Sequence, residues 1–227
     1  MQTFTAASGS RIPAALAMRG AAALPRGADE VQHAARHRFG RGEEVFAEGE
    51  AGTFFYKVVS GTVRTGKLLA DGRRQIDAFH LAGDVFGLES GDRHRFTAEA
   101  VDDVVVIAYR RSRFASLVHD DPAFGEQLMA SMLTSLDRAH DHMVLLGRKS
   151  ALEKMASFLL DMARRRPGAD KVVLPMQRTD IADHLGLTIE TVSRTLTQMV
   201  RDGLIRLAEV GRTVILVDKA GLQLLDS

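Results

Sequence analysis

Short apolar stretches separated by glycines fill residues 38–110 and are typical of an all-β domain. Residues 54–59, 61–64, 74–79 and 104–108 have the β-branched and aromatic composition of strands. Asp71-Gly72 lies between two of these stretches and is a hairpin turn signal. Many short strands at this spacing predict a jelly-roll-like barrel.

The hydrophobic pattern changes to a helical period from about Pro122 to Arg148. Six apolar side chains recur there at alternating spacings of three and four, namely Met129, Met132, Leu136, Ala139, Met143 and Leu146. Such a heptad seam is typical of a helix that pairs with a second helix. We therefore predict a dimerisation helix, with packing against its own barrel as the alternative.

A second group of elements follows this long helix. Ser150 and Glu153 have capping-box spacing and predict a new helix to about Arg166, stopped by Pro167-Gly168, with a hinge at 147–149. A short strand at 172–174, two short helices around Gly186 and a β-hairpin complete the chain. The hairpin strands are 203–207 and 213–217, on either side of Gly211-Arg212. These elements predict a helix-turn-helix with a β-wing.

The second of the two short helices carries Glu190, Ser193 and Arg194 at positions i, i+3 and i+4. Side chains at these positions project from one face of a helix. A carboxylate accepts from the cytosine amino group and a guanidinium forks onto guanine, while serine fits beside either. We predict that these three residues contact DNA bases in the major groove, although Glu190 favouring the helix N-terminus and Arg194 touching only phosphate remain alternatives.

Further polar residues near this helix are candidates for contacts with the DNA backbone. Thr188 and Thr179 are predicted as the N-caps of the two short helices. The complete set of candidate backbone contacts is Arg178, Thr179, Thr188, Thr191, Thr195 and Gln198. A solvated helix face is the alternative for each of them. The small core is predicted from Ile181, Leu185, Leu187, Val192 and Leu196.

Composition excludes several classes of site. The 227 residues contain no cysteine, so disulfides, thiolate metal sites and cysteine-held clusters are excluded. Residues 148–227 carry thirteen basic and ten acidic side chains, against seventeen and nineteen in residues 1–147. The positive excess therefore accompanies the predicted DNA reader. We interpret the alanine-rich stretch Ala14–Leu24, which Arg19 interrupts, as a mobile arm, and we expect no membrane span and a cytoplasmic location.

The order of barrel, long helix and winged helix-turn-helix resembles the cyclic-AMP receptor and fumarate–nitrate regulator (Crp/Fnr) family. Three segments carry the resemblance: Tyr56–Val63 and Gly83–Leu88 in the barrel, and Asp180–Leu196 in the reader. The resemblance implies an α+β fold with a cyclic-nucleotide-binding-like β-roll, a long dimerisation helix and a winged helix-turn-helix. The domain boundaries that we expect are 1–29 for the arm, 30–121 for the β-roll, 122–147 for the dimerisation helix and 148–227 for the DNA-binding domain.

Glu-x-x-Ser-Arg in the recognition helix, preceded here by Ile189, resembles the fumarate–nitrate branch. The resemblance implies a TTGAT-N4-ATCAA palindrome, in which Ser193 meets thymine, Arg194 guanine and Glu190 the opposite cytosine. With no cluster cysteines, the chain looks like the FixK-like branch, whose members are mostly activators of micro-oxic respiration and nitrogen-fixation genes. We expect RNA polymerase as a partner, with the loop Glu89–Asp92 as a candidate contact.

The sensor half departs from the family pattern. The expected ribose segment reads Gly83-Asp84, and His94-Arg95 stands where an Arg-Ser pair would hold a phosphate. Neither His33 with His37 nor His140 with His142 has a third metal ligand. We therefore expect no cofactor, no metal, no small-molecule ligand and no catalytic residue. The alternatives are a ligand-gated regulator of the same family and, more remotely, a metal-dependent enzyme on a cupin-like barrel.

Overall fold

A computed structural model describes residues 34–165, 170–208 and 212–226 of the chain. The predicted N-terminal arm, the helix stop at Pro167-Gly168, and His33 and Gly211 lie outside these residues. Among the residues described, no helix is both long enough and apolar enough to cross a lipid bilayer.

The first part of the chain is the predicted β-barrel, built from two four-stranded antiparallel sheets. One sheet has the order β1-β8-β3-β6 and the other β2-β7-β4-β5. The strands are β1 Ala34–Phe39, β2 Glu44–Phe46, β3 Phe54–Ser60, β4 Val63–Leu68, β5 Arg74–His80, β6 Val85–Phe86, β7 Thr97–Ala100 and β8 Val104–Arg110. Apolar side chains from both sheets alternate inward and form one core, which confirms the strand predictions.

The β4–β5 hairpin turns where the sequence predicts it. Gly72 has φ +84°, a conformation that residues with a Cβ rarely adopt, and its N–H donates to Leu69 O. The register that starts from this turn places Lys67 opposite Gln75, and after a shift between Thr65 and Gly66 it places Arg64 opposite Phe79. This register matters below because the hairpin contacts the second part of the chain.

A helical segment links the two parts. A 3₁₀ turn, Arg111–Arg113, leads into α1 Phe114–Asp120 and α2 Pro122–Arg148. Asp121 caps α2 by accepting from the Phe124 N–H, and Pro122 takes the first helical position, where no N–H is needed. The 27-residue α2 matches the predicted helix. Ser150 and Glu153 form the predicted capping box of α3 Ala151–Arg164, which ends two residues earlier than expected.

The last part of the chain is the winged helix-turn-helix. Its elements are β9 Lys171–Val173, α4 Arg178–Leu185, α5 Ile189–Arg201, β10 Ile205–Leu207, β11 Thr213–Leu216 and α6 Lys219–Asp226. The three strands form one antiparallel sheet in the order β10-β11-β9. Of the predicted core residues, Ile181, Leu185, Val192 and Leu196 are buried, while Leu187 is only partly buried against them.

Candidate nucleic-acid interface

The turn between α4 and α5 is fixed by local hydrogen bonds. Gly186 ends α4 in the left-handed conformation, at φ +62°, and the Leu187 N–H donates to Ala182 O at 3.0 Å. Thr188 then begins α5 as predicted, since its hydroxyl accepts from the Thr191 N–H at 3.2 Å. These contacts set the angle at which α5 leaves α4.

Helix α5 has one buried and one exposed face. Val192, Leu196 and Met199 are at most 3% exposed and pack into the core. The opposite face carries Glu190 and Arg194, both exposed, and Ser193, which is half-buried. The structure therefore brings the three predicted base-contacting residues together on an accessible helix surface.

Weak polar contacts orient two of these side chains. Arg194 Nη2 donates to Thr191 Oγ1 at 3.4 Å, and Arg178 Nη1 donates to Ser193 Oγ at 3.3 Å. Hydrogen bonds from its own backbone N–H and from the Thr188 hydroxyl, together with the charge of Arg194, hold the pKa of Glu190 below its usual range. The face thus presents an anion, a hydroxyl and a cation at neutral pH.

Two of the predictions around this face are wrong. Thr179 is not the N-cap of α4: the cap is Gln177, whose N–H donates to Asp180 Oδ2 at 3.0 Å. Thr195 is only 6% exposed and faces the core, so its hydroxyl is too buried to contact a DNA phosphate. Thr188, Arg178, Thr179 and Gln198 are exposed and Thr191 is half-buried, so these five stay candidates for backbone contacts.

Arg212 is a candidate phosphate contact that no sequence motif indicates. Its side chain is exposed and lines a cavity of about 200 Å³ together with Gln177 and Arg178 at the start of α4. A positively charged side chain at this end of the helix-turn-helix can bind a phosphate of the DNA backbone. The only sequence signal was its position after a glycine in the wing, which does not show that it lies beside Arg178.

The predicted dimer seam lies on the surface of α2. Met129, Met132, Leu136, Ala139 and Met143 are exposed, Met143 to 66%, whereas Leu146 packs against the core of the helix-turn-helix part. Leu133 and Val144, which the heptad pattern left out, are also more than half exposed. The exposed apolar face is therefore broader than the predicted seam.

The predicted ribose and phosphate segments of the barrel are already engaged in internal contacts. Asp84 accepts from the Leu81 N–H at 2.7 Å and pairs with Arg138 and Arg165. Burial alone would raise the pKa of Asp84, but Arg165, the Leu81 N–H and Arg138 together lower it. His94 is 3% exposed, contacts Glu89 Oε2 at 2.9 Å and stacks on Phe46 with 3.6 Å between ring centroids.

Within the described part of the chain, no group of three or more His, Asp or Glu side chains is arranged to hold a metal ion. His140 is exposed, whereas His142 stacks on His184 with 4.1 Å between ring centroids. His140 and His142, the pair for which the sequence offered no third metal ligand, thus lie in different surroundings.

Comparison with known proteins identifies both parts of the chain. The family described as a Crp-like helix-turn-helix domain matches residues 153–225, and that described as a cyclic nucleotide-binding domain matches residues 36–121. The nitrogen fixation regulation protein FixK of Azorhizobium caulinodans is 47% identical over 194 residues, 83% of this chain and 78% of that protein. The transcriptional activatory protein AadR of Rhodopseudomonas palustris is 40% identical over 220 residues, 93% of this chain and 92% of that protein. The solved structure of FixK2 from Bradyrhizobium japonicum, 46% identical, covers 86% of this chain and 98% of its own with a TM-score of 0.79.

Proposed function

The chain belongs to the Crp/Fnr family of DNA-binding transcriptional regulators, and from this membership we propose that it binds an inverted repeat as a homodimer. Its relatives are regulators and not enzymes, and the chain shares their fold. The observation that carries the proposal is the accessible face of α5, on which Glu190, Ser193 and Arg194 lie together.

Each of the three residues has a defined task in the proposed complex. The half-site is TTGAT, repeated in inverted order after four base pairs. Arg194 binds the guanine, Glu190 accepts from the cytosine opposite it, and Ser193 contacts a thymine. Arg178, Thr179, Thr188, Thr191 and Gln198 contact the DNA backbone around them, in keeping with their accessible positions. Arg212 joins this set.

The exposed apolar face of α2 supports the proposed dimer. Met129, Met132, Leu136 and Met143 together leave a long apolar surface in contact with water, which a second copy of α2 would cover. A two-fold dimer places two recognition helices in successive major grooves, as a palindrome requires. We keep residues 122–147 as the dimerisation helix and residues 148–227 as the DNA-binding domain.

We propose that the protein acts mainly as an activator of nitrogen-fixation genes, since its relatives include a nitrogen fixation regulation protein and a transcriptional activatory protein. The resemblance to the FixK-like branch extends this proposal to genes for micro-oxic respiration and to a place in the bacterial cytoplasm. RNA polymerase would contact the loop Glu89–Asp92, among other surfaces. Arg111 donates to Glu89 O and Gly91 O and holds this loop in one shape, while Ser90 and Asp92 are exposed.

The proposed DNA site is tested with three labelled duplexes and the full-length protein. The first carries TTGAT-N4-ATCAA, the second has the G·C pair of each half-site replaced by A·T, and the third is scrambled. We expect the replacement to cost about 1–3 kcal/mol for each half-site, measured by fluorescence anisotropy at fixed salt. Equal affinity for the first two duplexes would show that the proposed site is wrong.

A further inference from the structure

The β4–β5 hairpin of the barrel binds α4, the first helix of the helix-turn-helix, through ion pairs and hydrogen bonds, and we call this set of contacts the grip. Arg64 Nη1 on β4 lies 3.0 Å from Asp180 Oδ1 on α4. Arg74 on β5 pairs with the same Asp180 and with Asp183 Oδ2 at 2.8 Å. The Asp180 side chain is only 4% exposed, so its ion pair with Arg64 is largely shielded from water, whereas the side chains of Arg74 and Asp183 are about 30% exposed. More than 100 residues separate the two sides in sequence.

The barrel side of this cluster is itself held in place. Glu99 on β7 accepts from Arg64 Nε and Nη2, both at 3.1 Å, in a forked arrangement that fixes the guanidinium plane. The third nitrogen of Arg64 is then directed at Asp180. A side chain restrained in this way loses little freedom on holding its partner, which makes the contact a geometric constraint as well as an electrostatic one.

Neutral contacts extend the grip along α4. His184 Nδ1–H donates to Ile76 O at 3.1 Å, and Gln75 Nε2–H donates to His184 O at 3.3 Å. His184 also packs edge-on against Phe79, with 5.2 Å between ring centroids. Asp180, Asp183 and His184 are spaced i, i+3 and i+4, so one whole face of α4 is bound to the hairpin.

The grip does not cover the reading face, which is the accessible side of α5 that carries Glu190, Ser193 and Arg194. The contacts to the hairpin involve α4, whereas Glu190 and Arg194 of α5 stay exposed. Helix α5 is joined to α4 through the fixed turn at Gly186 and a shared core, so the orientation of α4 sets the direction in which α5 projects. A contact that blocked DNA binding would be expected to cover the reading face, which this one does not.

We propose that Arg64 and Arg74 are positioning residues for DNA binding, which hold α4 so that both recognition helices of a dimer meet a palindrome together. This inference rests on the proposed function, because it concerns a dimer on two half-sites. When one reader is bound, the second binds in an intramolecular step, whose strength depends on how well its orientation matches the second half-site. When the grip is weakened, the second recognition helix is oriented less well for the second half-site, while the DNA-binding surface of each subunit is unchanged.

The test compares a palindromic duplex with one in which a single half-site is scrambled, using Arg74→Gln, Asp183→Asn and the double variant. We expect each variant to bind the palindrome about 10-fold more weakly, while binding to the single half-site stays within about 2-fold. The double variant should be no worse than Arg74→Gln alone, because the ion pair lost in Asp183→Asn is one that Arg74→Gln already removes. Arg64→Gln should act in the same direction.

Arg73→Gln is the matched control. Arg73 is the neighbour of Arg74 in sequence, carries the same charge and pairs with Asp71, two positions away on the same hairpin. We expect Arg73→Gln to bind both duplexes like the wild type. Thermal unfolding and sedimentation establish that each variant is folded and dimeric. Should Arg64→Gln fail to fold, the Arg74 and Asp183 variants, whose side chains are about 30% exposed, still decide the question.

Three results would overturn the positioning role. Unchanged palindrome binding would show that the grip does not matter, and equal weakening on both duplexes would show that the arginines act on the reader itself or touch DNA. Tighter palindrome binding would show that the grip is inhibitory. A wild-type protein that binds both duplexes equally would instead contradict the proposed function, and the positioning role would fall with it.

Discussion

The barrel and the helix-turn-helix use similar polar residues in opposite ways. In the barrel, Asp84, Glu89 and His94 are turned toward partners within the same chain and are buried or half-buried. In the reader, Glu190 and Arg194 are exposed and make only weak contacts with neighbouring threonines. A polar residue in a motif therefore indicates a binding site only where its hydrogen-bonding groups are left for an external partner.

The difference follows from the cost of burying polar groups. A buried carboxylate or imidazole needs partners from the protein, because an unpaired one costs about 1–3 kcal/mol or more. On a solvated helix the same groups remain paired with water, which a DNA base can replace. Substitutions in the barrel core should therefore change the free energy of unfolding, and substitutions on the exposed face of α5 should change DNA binding.

The largest effect is expected from emptying the barrel core. Phe46 is 4% exposed and contacts Tyr56, Phe86 and His94 through its ring. Phe46→Ala should lower the free energy of unfolding by about 3–5 kcal/mol, since it removes buried surface and leaves a cavity. Urea titration measures this loss, and discrimination between duplexes should be unchanged where the variant is folded. Leu68→Ala, at a position 68% exposed, is the control; a loss no larger than that control would contradict a filled barrel.

The next effect is expected from the α2 surface that we propose as the dimer interface. Leu136→Glu places a charge in the exposed seam of α2 and should produce monomers in sedimentation velocity. Without a partner reader, palindrome binding should fall by about 100-fold or more. Thr134→Glu adds the same charge on the opposite side of α2 and should stay dimeric. Intact Leu136→Glu dimers would rule out this seam.

Removing Arg194 should affect reading but not folding. Arg194→Ala should cost about 1–3 kcal/mol per half-site and abolish the preference for the guanine, while the free energy of unfolding changes by less than about 0.5 kcal/mol. Arg201→Ala removes the same charge from the exposed end of α5 and should weaken every duplex equally. If Arg194→Ala also weakens all duplexes equally, Arg194 contacts phosphate and not a base.

Acid should destabilise the barrel through His80. Burial, opposed by Asp84 and reinforced by Arg165 and Arg138, lowers the pKa of His80 from 6.5 to about 4. Between these values the unfolded chain binds a proton that the folded chain does not, so stability falls as pH decreases. From about pH 7 to about pH 5 the loss should be about 1–2 kcal/mol.

His80→Gln removes this titration, and His140→Gln, at an exposed position on α2, is its control. We expect the slope of unfolding free energy against pH, measured by urea titration, to flatten in His80→Gln only. An unchanged slope in His80→Gln would assign the acid sensitivity to other groups, such as His184, whose pKa burial lowers to about 3.

The smallest effect is expected from cyclic nucleotides. Since Asp84 is paired with Arg138 and Arg165, and His94 is buried against Phe46 and Glu89, titration with cyclic AMP should produce no binding heat and no change in DNA affinity. A micromolar site that tightens DNA binding would revive the ligand-gated alternative. The titration is performed with the full-length protein, with and without the palindromic duplex.

Local patterns in the chain were sufficient for most elements. The strands β3, β4, β5 and β8 of the barrel, the full length of α2, the capping box of Ser150 and the cap of Thr188 were predicted, because each depends on residues within a few positions of one another. The cap of α4 was not, since Thr179 and Gln177 both lie near its start and only the hydrogen bond to Asp180 distinguishes them. Thr195 was assigned to the wrong face because the edge of a helix stripe depends on what packs beside it.

The sequence by itself determined the class of fold, the reading motif and the absence of cysteine chemistry, since these depend on composition and on spacings within single helices and strands. Only the tertiary structure decided that Asp84 and His94 have internal partners and that Arg64 and Arg74 hold Asp180 and Asp183. Those pairs join residues far apart in the chain. Their distances follow from how barrel and helices pack, and no local pattern records such packing.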